Sequence, residues 1–231
     1  MSALFEIFFS PGKVFDQVRE KSMFLPALIA VMLMTIASFA VVANMVGMET
    51  LARKQIESSS RAASLTPEQK QTAIAQAGTP MRLYIGYGAA GFGSVIVLLF
   101  IAGVSFGGLS AFGAKTRFPQ VLGAVSYAAV PFSLLALIMT TAVLLATPDR
   151  ESLDFTNLIA TNIGAFLNKE TTGKMIYSLA GSIDLISFAH VAFLSYGLSK
   201  VSKLSFTSCV MLVAGMWAIY VLCKAGLSSL F

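Results

Sequence analysis

The stretch LYIGYGAAGFGSVIVLLFIAGVSFGGLSAF, residues 83–112, decides the fold of this protein because it contains no charged residue. The uncharged run between Arg82 and Lys115 covers 32 residues. A helix needs about 20 mostly apolar residues to cross the hydrocarbon core of a bilayer. Residues 83–112 are therefore predicted to form a transmembrane helix.

Four further stretches have the same character. One of them, between Lys174 and Lys200, is interrupted only by Asp184 and the single histidine, His190. We predict an all-α membrane protein, a bundle of five transmembrane helices that forms one domain over residues 1–231. The predicted helices lie at 24–47, 83–112, 121–146, 175–198 and 206–230.

The composition excludes several other classes of protein. The chain is 56% hydrophobic and only 12% charged, whereas soluble domains carry about 45–50% apolar and about 25% charged residues. This excludes an ordinary soluble enzyme domain, a disordered chain and a disulfide scaffold. Cys209 and Cys223 are too far apart along one helix, about 21 Å, to form a disulfide with each other. The net charge of +5 lies in short connecting segments, which favours a membrane protein over a nucleic-acid-binding one.

The distribution of lysine and arginine predicts the orientation. Cytoplasmic loops carry an excess of these residues, and the segments on the side of the N-terminus carry them at the higher density. We therefore expect the N-terminus in the cytoplasm and the C-terminus outside, in a bacterial cytoplasmic (inner) membrane. The basic residues on the predicted inside are Lys13, Arg19, Lys21, Lys115, Arg117, Lys200 and Lys203.

The segments outside the predicted spans have their own patterns. Residues 1–23 are predicted to form an interfacial helix, capped at Ser10, that packs on lipid or on the protein itself through the face of Val14, Phe15 and Val18. Residues 48–80 and 147–174 are predicted outside loops. The first contains a capping box from Thr66 to Gln69 and is expected to form a short helical hairpin. In the second, the uncharged stretch 155–167 is too short to cross and is expected to lie in the interface.

Ionisable residues inside predicted spans are the candidate functional residues, because their burial in lipid is costly. Asp184, His190 and Lys224 are of this kind, and Ser187 and Asn44 are polar neighbours. If their helices meet the outer surface together, Asp184 and Lys224 lie at similar depth and can pair. Three interpretations stay open: a clamp between helices, a proton or ion relay, and contact with lipid headgroups or a partner, including Lys224 reaching the surface.

Small residues and a proline mark the predicted helix contacts. Gly103 and Gly107 form a Gly-x-x-x-Gly pattern that allows helices to approach closely in lipid, and Pro131 is expected to kink the third span. One histidine cannot provide two metal ligands, and no nucleophile and base have a recognisable spacing. We therefore predict no catalytic site, no metal and no cofactor.

Several motifs together resemble the Yip1 domain family over nearly the whole chain. The motifs are Phe9-Ser10-Pro11 with Phe15, Phe118-Pro119-Gln120-Val121-Leu122 through Tyr127 and Pro131, Ser182-Ile183-Asp184-Leu185, Gly197-Leu198-Ser199 and Lys203-Leu204-Ser205. The tryptophan that the family typically has a few residues after the aspartate is absent here, where Ser187-Phe188-Ala189-His190 stand.

The resemblance implies a five-span fold without a settled activity. Eukaryotic relatives carry a long cytosolic arm implicated in binding Rab-type GTPases, whereas about twenty residues precede the first span here. The chain is thus similar to short bacterial members, and GTPase binding is not expected. Our first hypothesis is a non-enzymatic membrane-organising or partner-binding scaffold, which could bind membrane proteins or copies of itself. The alternative is a small ion or proton channel or transporter that uses Asp184.

Overall fold

The computed structural model describes residues 2–58, 64–150, 153, 158–159, 161–168 and 171–230. Helices account for nearly all of the regular structure in these ranges, and a single isolated bridge is the only β-type pairing within them. A 3₁₀ segment covers Ile163–Phe166. The α-helices of the described chain are α1 (Ala3–Phe9), α2 (Pro11–Lys21), α3 (Leu25–Val46), α4 (Met48–Ser58), α5 (Pro67–Ala77), α6 (Pro80–Ala111), α7 (Phe118–Ala146), α8 (Lys174–Ser182), α9 (Leu185–Ser202) and α10 (Phe206–Leu230).

Proline begins many of these helices. α2, α3, α5, α6 and α7 each have a proline in the first turn. The first turn tolerates proline because the amide that proline lacks has no intrahelical partner there. The proline positions therefore agree with the starts of these five helices.

Four of the described helices, α3, α6, α7 and α10, are long and apolar enough to cross a membrane. They overlap the predicted segments at 24–47, 83–112, 121–146 and 206–230. α6 extends further than expected, over 32 residues.

The expected continuous helix over 175–198 is not found. α8 ends at Ser182 and α9 begins at Leu185, and Asp184 between them has an extended backbone with φ −131° and ψ 132°. A short carboxylate side chain competes for backbone amides, which favours a helix cap over a helix interior. The predicted number of five transmembrane helices is therefore not confirmed.

The N-terminal region forms two helices instead of the one expected over 1–23. Ser10 lies between α1 and α2, and its side chain makes no capping hydrogen bond. The apolar face of α2 is as predicted: Val14, Phe15 and Val18 are fully buried. This face packs against α7 and α9, so α2 packs on the protein itself.

The packing is organised around α7. This helix contacts α3, α6 and α9, while α10 packs on α8 and α9. All residues from Gln120 to Val130 are buried, and Gly123 allows the chain around Met23 to approach. A Cβ atom at Gly123 would lie 2.6 Å from the carbonyl oxygen of Met23, so a larger residue would push α7 away from the start of α3.

The helical hairpin predicted within residues 48–80 is found where the structure describes it, and its side of the membrane stays a prediction. α4 packs on α5, and the capping box of α5 is present: Thr66 Oγ1 accepts from the amide of Gln69 at 3.2 Å, and Gln69 Oε1 accepts from the amide of Thr66 at 2.9 Å. The expected interfacial segment 155–167 lies partly outside the described residues. Its described end contains the 3₁₀ segment.

Pro131 lies in the middle of α7, which continues on both sides of it. Proline cannot donate a hydrogen bond to the carbonyl group four residues earlier, at Tyr127. The expected kink stays a prediction, and the proline does not end the helix.

Candidate functional site

The break between α8 and α9 holds two of the polar side chains that the sequence singles out, Asp184 and Ser187. Asp184 is the N-cap of α9, and its Oδ2 accepts hydrogen bonds from the amide of Ser187 at 3.2 Å and from the hydroxyl of Ser187 at 3.1 Å. Its Oδ1 accepts from the amide of Ile186 at 3.4 Å and from the hydroxyl of Thr161. Both carboxylate oxygens are thus used to start α9 and to hold a neighbouring loop.

That loop pairs with the break through its backbone. Asn162 lies opposite Asp184 in an antiparallel bridge, and the amide of Ile163 donates to the carbonyl of Ile183 at 3.2 Å. The side chain of Asn162 is buried and accepts from the amide of Ala165 at 3.2 Å, which caps the 3₁₀ segment. The loop therefore satisfies backbone groups that the interruption of the helix leaves without intrahelical partners.

Lys224 does not form the expected ion pair with Asp184. Its Nζ donates instead to the hydroxyl of Ser182 at 3.3 Å, and no ion pair joins Lys224 to Asp184. The reason is that α8 ends at Ser182, so that the hydroxyl of Ser182 lies within reach of the ammonium group of Lys224. A cation at a helix C-terminus is favourable because the last carbonyl groups carry a partial negative charge.

His190 and Asn44 lie away from this site. The ring of His190 stacks on Phe132, with centroids 4.7 Å apart and planes at 28°. Asn44 is exposed, and its Nδ2 donates to the carbonyl of Ala40 in its own helix at 2.7 Å. The structure therefore brings Asp184 and Ser187 together. Lys224 contacts Ser182 at the end of α8, and His190 and Asn44 lie outside the site.

Sequence reasoning missed Thr161 and the bridging role of Asn162. Both residues lie in an uncharged loop, where polar side chains suggest a contact. The sequence of a loop does not show which part of the chain that contact is with. Their approach to Asp184 depends on the interruption of a helix that the sequence predicts to be continuous.

The glycines of α6 divide into two groups. Gly86 lies against Phe39, Gly108 lies against Leu212, and a Cβ atom at Gly91 would meet Ile36 at 2.9 Å. The glycines that the sequence singles out behave differently: no atom lies within 4 Å of a Cβ position built at Gly103 or at Gly107. Contacts of α6 within the chain therefore use other glycines than those of the Gly-x-x-x-Gly pattern.

The far end of α9 has a second polar cluster. Asp16 on α2 lies 3.2 Å from Arg19 and 3.8 Å from Lys200. Arg19 also donates to the carbonyl of Lys200 at 3.2 Å, and Gln120 donates to the carbonyl of Arg19. These contacts tie α2 to the C-terminus of α9 and to the start of α7.

An open cavity of about 570 Å³ lies along α9 beside the starts of α2 and α10, and a second one of about 150 Å³ lies between α1, α7 and α9; both are lined almost entirely by apolar side chains. Neither includes Asp184. In the part of the chain that the structure describes, no group of three histidine, cysteine or acidic side chains is close enough to hold a metal ion.

One comparison with known proteins gives a family. The Yip1 domain matches residues 5–227, which is nearly the whole chain of 231 residues. No curated protein and no solved structure gives a significant match. The match includes α2, the break at Asp184 and the four long apolar helices, so the apolar bundle described above is that of a protein with a Yip1 domain. The chain belongs to the Yip1 domain family.

Proposed function

We propose that this protein is a non-enzymatic membrane scaffold, which organises neighbouring lipids or proteins through its surface. The observation that carries the proposal is the use of Asp184. Its carboxylate accepts four hydrogen bonds from its own chain, so the acidic group in the middle of an apolar stretch has a structural role. A clamp of this kind fixes the shape of the bundle and needs no transported ion.

The ion-pathway hypothesis lacks comparable support. A pathway through the membrane requires polar or irregular backbone that lines a water-filled cavity. The two cavities described above are apolar, and the irregular backbone at Asp184 is hydrogen-bonded to the 161–163 loop.

Flux measurements in proteoliposomes compare the two hypotheses. We expect no proton or cation flux above that of protein-free vesicles, for the native chain and for Asp184→Asn alike. Flux that the native chain supports and the variant abolishes would contradict the scaffold proposal.

A scaffold also needs a face for its neighbours, and we propose self-association along the outer face of α6. Gly103 and Gly107 are open there, and Phe100 and Val104 beside them are 69% and 41% exposed. Helix backbones approach closely in lipid where small residues leave room.

Disulfide cross-linking in native membranes tests this face. In a background with Cys223→Ser, Val104→Cys is expected to give a cross-linked dimer under mild oxidation. Ile219→Cys, at a position on α10 that is 65% exposed, is the matched control and is expected to stay monomeric. Equal cross-linking at both positions would indicate random collision and remove the proposed face.

We further propose that α8 and α9 together make a fifth crossing, with the N-terminus in the cytoplasm and the C-terminus outside. α9 alone has 18 residues, or about 27 Å at 1.5 Å per residue, which is close to the hydrocarbon thickness of about 30 Å. Labelling of intact cells tests this topology in the Cys223→Ser background. An impermeant reagent is expected to reach Gln71→Cys on α5 and not Ser199→Cys on α9, and the reverse pattern would refute the orientation.

A further inference from the structure

A groove runs along one face of α9, beside α2. Its members on α9 recur at helical spacing, so they share one face. The groove has a volume of about 570 Å³, within the range of about 300–1,000 Å³ that is usual for ligand sites. It is lined by Pro11, Ala189, Ala192, Phe193, Tyr196, Ser199 and Phe206.

The length of the groove corresponds to one leaflet of a bilayer. From Ala189 to Ser199 the helix rises by about 15 Å, and half of the hydrocarbon core is also about 15 Å thick. One end of the groove lies at Ala189 in the first half of α9, and the other lies at Ser199, near the C-terminal end of the helix.

The wall of the groove is fixed by aromatic packing. Phe193 meets Phe15 edge to face at 5.7 Å and Phe132 at 6.0 Å. Tyr196 meets Phe15 at 6.0 Å. Small side chains at Ala189 and Ala192 keep the groove open, so the space is built into the packing of α2 on α9.

Basic side chains lie at the polar end. The Nζ of Lys200 lies 5.7 Å from the ring centroid of Tyr196, a residue of the groove wall. Lys203 is in the turn between α9 and α10, that is, between two helices that both line the groove. The side chain of Lys203 is exposed and makes no hydrogen bond or ion pair with the described residues.

We propose that the groove binds one acyl chain of an anionic glycerophospholipid, with the phosphate of the lipid at Lys200 and Lys203. An apolar slot one leaflet long matches the acyl chain, and two cations at its polar end match the headgroup. A second apolar helix would match the slot without using the lysines. The inference rests on the groove and its charges, and it holds whether or not the protein is a scaffold.

Native mass spectrometry of the full chain, released from micelles that contain equal amounts of phosphatidylglycerol and phosphatidylcholine, tests the proposal. We expect the native protein to retain one phosphatidylglycerol in preference to phosphatidylcholine. The double variant Lys200→Gln/Lys203→Gln is expected to lower this preference about ten-fold, since one lysine near a charged surface contributes about five-fold and Lys200 shares its charge with Asp16. Lys115→Gln removes a charge from the α6–α7 turn, which does not line the groove, and is expected to change the preference little.

A second variant tests the acyl-chain part independently. Ala192→Phe fills the groove at an exposed position, and Ala218→Phe makes the same change at an exposed position on α10. We expect Ala192→Phe to reduce retention of both lipids at least five-fold, with an unfolding temperature equal to that of Ala218→Phe. Retention that is unchanged in Ala192→Phe, or that falls as much in Lys115→Gln as in the double lysine variant, would overturn the proposal. A dimer or a bound peptide in place of lipid would overturn it as well.

Discussion

Replacement of Asp184 by alanine is expected to destabilise the protein far more than replacement by asparagine. Alanine removes the cap of α9 together with the hydrogen bond from Thr161. Asparagine is as good an N-cap as aspartate and can still accept a hydrogen bond from the loop. The comparison therefore separates a structural clamp from a role that requires the charge.

The magnitude follows from the contacts. Loss of an N-cap side chain costs about 0.5–2 kcal/mol, and a hydrogen bond to a charged group contributes about 1.5–3 kcal/mol. Asp184 is half-buried, so we take the lower part of the second range and expect a total of about 2–4 kcal/mol for Asp184→Ala. For Asp184→Asn we expect about 1 kcal/mol, because one acceptor oxygen is lost. In a chain of 231 residues, where 1 kcal/mol shifts the unfolding temperature by about 2–4 °C, the alanine variant should unfold about 4–16 °C lower.

Thermal unfolding in a mild detergent measures both variants. Thr161→Val provides a partner for a double-mutant cycle, which isolates the coupling between loop and cap. We expect a coupling of about 1 kcal/mol or more, as for residues in direct contact. Equal destabilisation by alanine and asparagine would contradict a clamp at Asp184, and so would simple additivity of Asp184→Ala and Thr161→Val.

Three further variants probe other parts of the bundle. Gly197→Leu should lower the free energy of unfolding by about 1–3 kcal/mol, because a Cβ atom there would lie 2.7 Å from Phe15. Gly103→Leu is the control, since no atom lies within 4 Å of a Cβ position built at Gly103. Equal shifts of the unfolding temperature in the two variants would contradict close packing at Gly197. Thr66→Ala removes the capping box of an exposed helix, so the rate of amide exchange in α5 should rise several-fold, as expected for a cap worth about 1 kcal/mol. The unfolding temperature of the bundle should stay constant. A lower unfolding temperature would show that α5 supports the core. Arg150 donates to carbonyl groups near the ends of α3 and α7, at 2.7 Å and 3.4 Å. Arg150→Ala should therefore lower the free energy of unfolding by about 1–2 kcal/mol, measured by thermal unfolding. An unchanged unfolding temperature would mean that water replaces these hydrogen bonds.

Much of the fold could be predicted from the sequence because lipid imposes a simple rule. A long apolar stretch without charges must satisfy its backbone within itself, and a helix does so. The four long helices, the buried face of α2 and the capping box of α5 all follow from local pattern alone. The family motifs could be read in the same way, and the match over residues 5–227 confirms the family.

The candidate site depended on the tertiary structure. A helix interior and an N-cap are alternative uses of the same aspartate, and the choice depends on whether a partner is available for the opened backbone. At Asp184 that partner is the loop at 161–163, more than 20 positions earlier in the chain. The expected partner Lys224 instead reaches Ser182, since α8 ends there.

The glycines show the same division between what is local and what is not. The sequence by itself determined that α6 is an apolar helix rich in small residues, because composition and length suffice for that. Only the tertiary structure decided that Gly86, Gly91 and Gly108 face neighbouring helices and that Gly103 and Gly107 face outward. The physical reason is that lipid and protein are almost equally apolar surroundings for a helix, so hydropathy does not tell which side of a transmembrane helix meets the bundle.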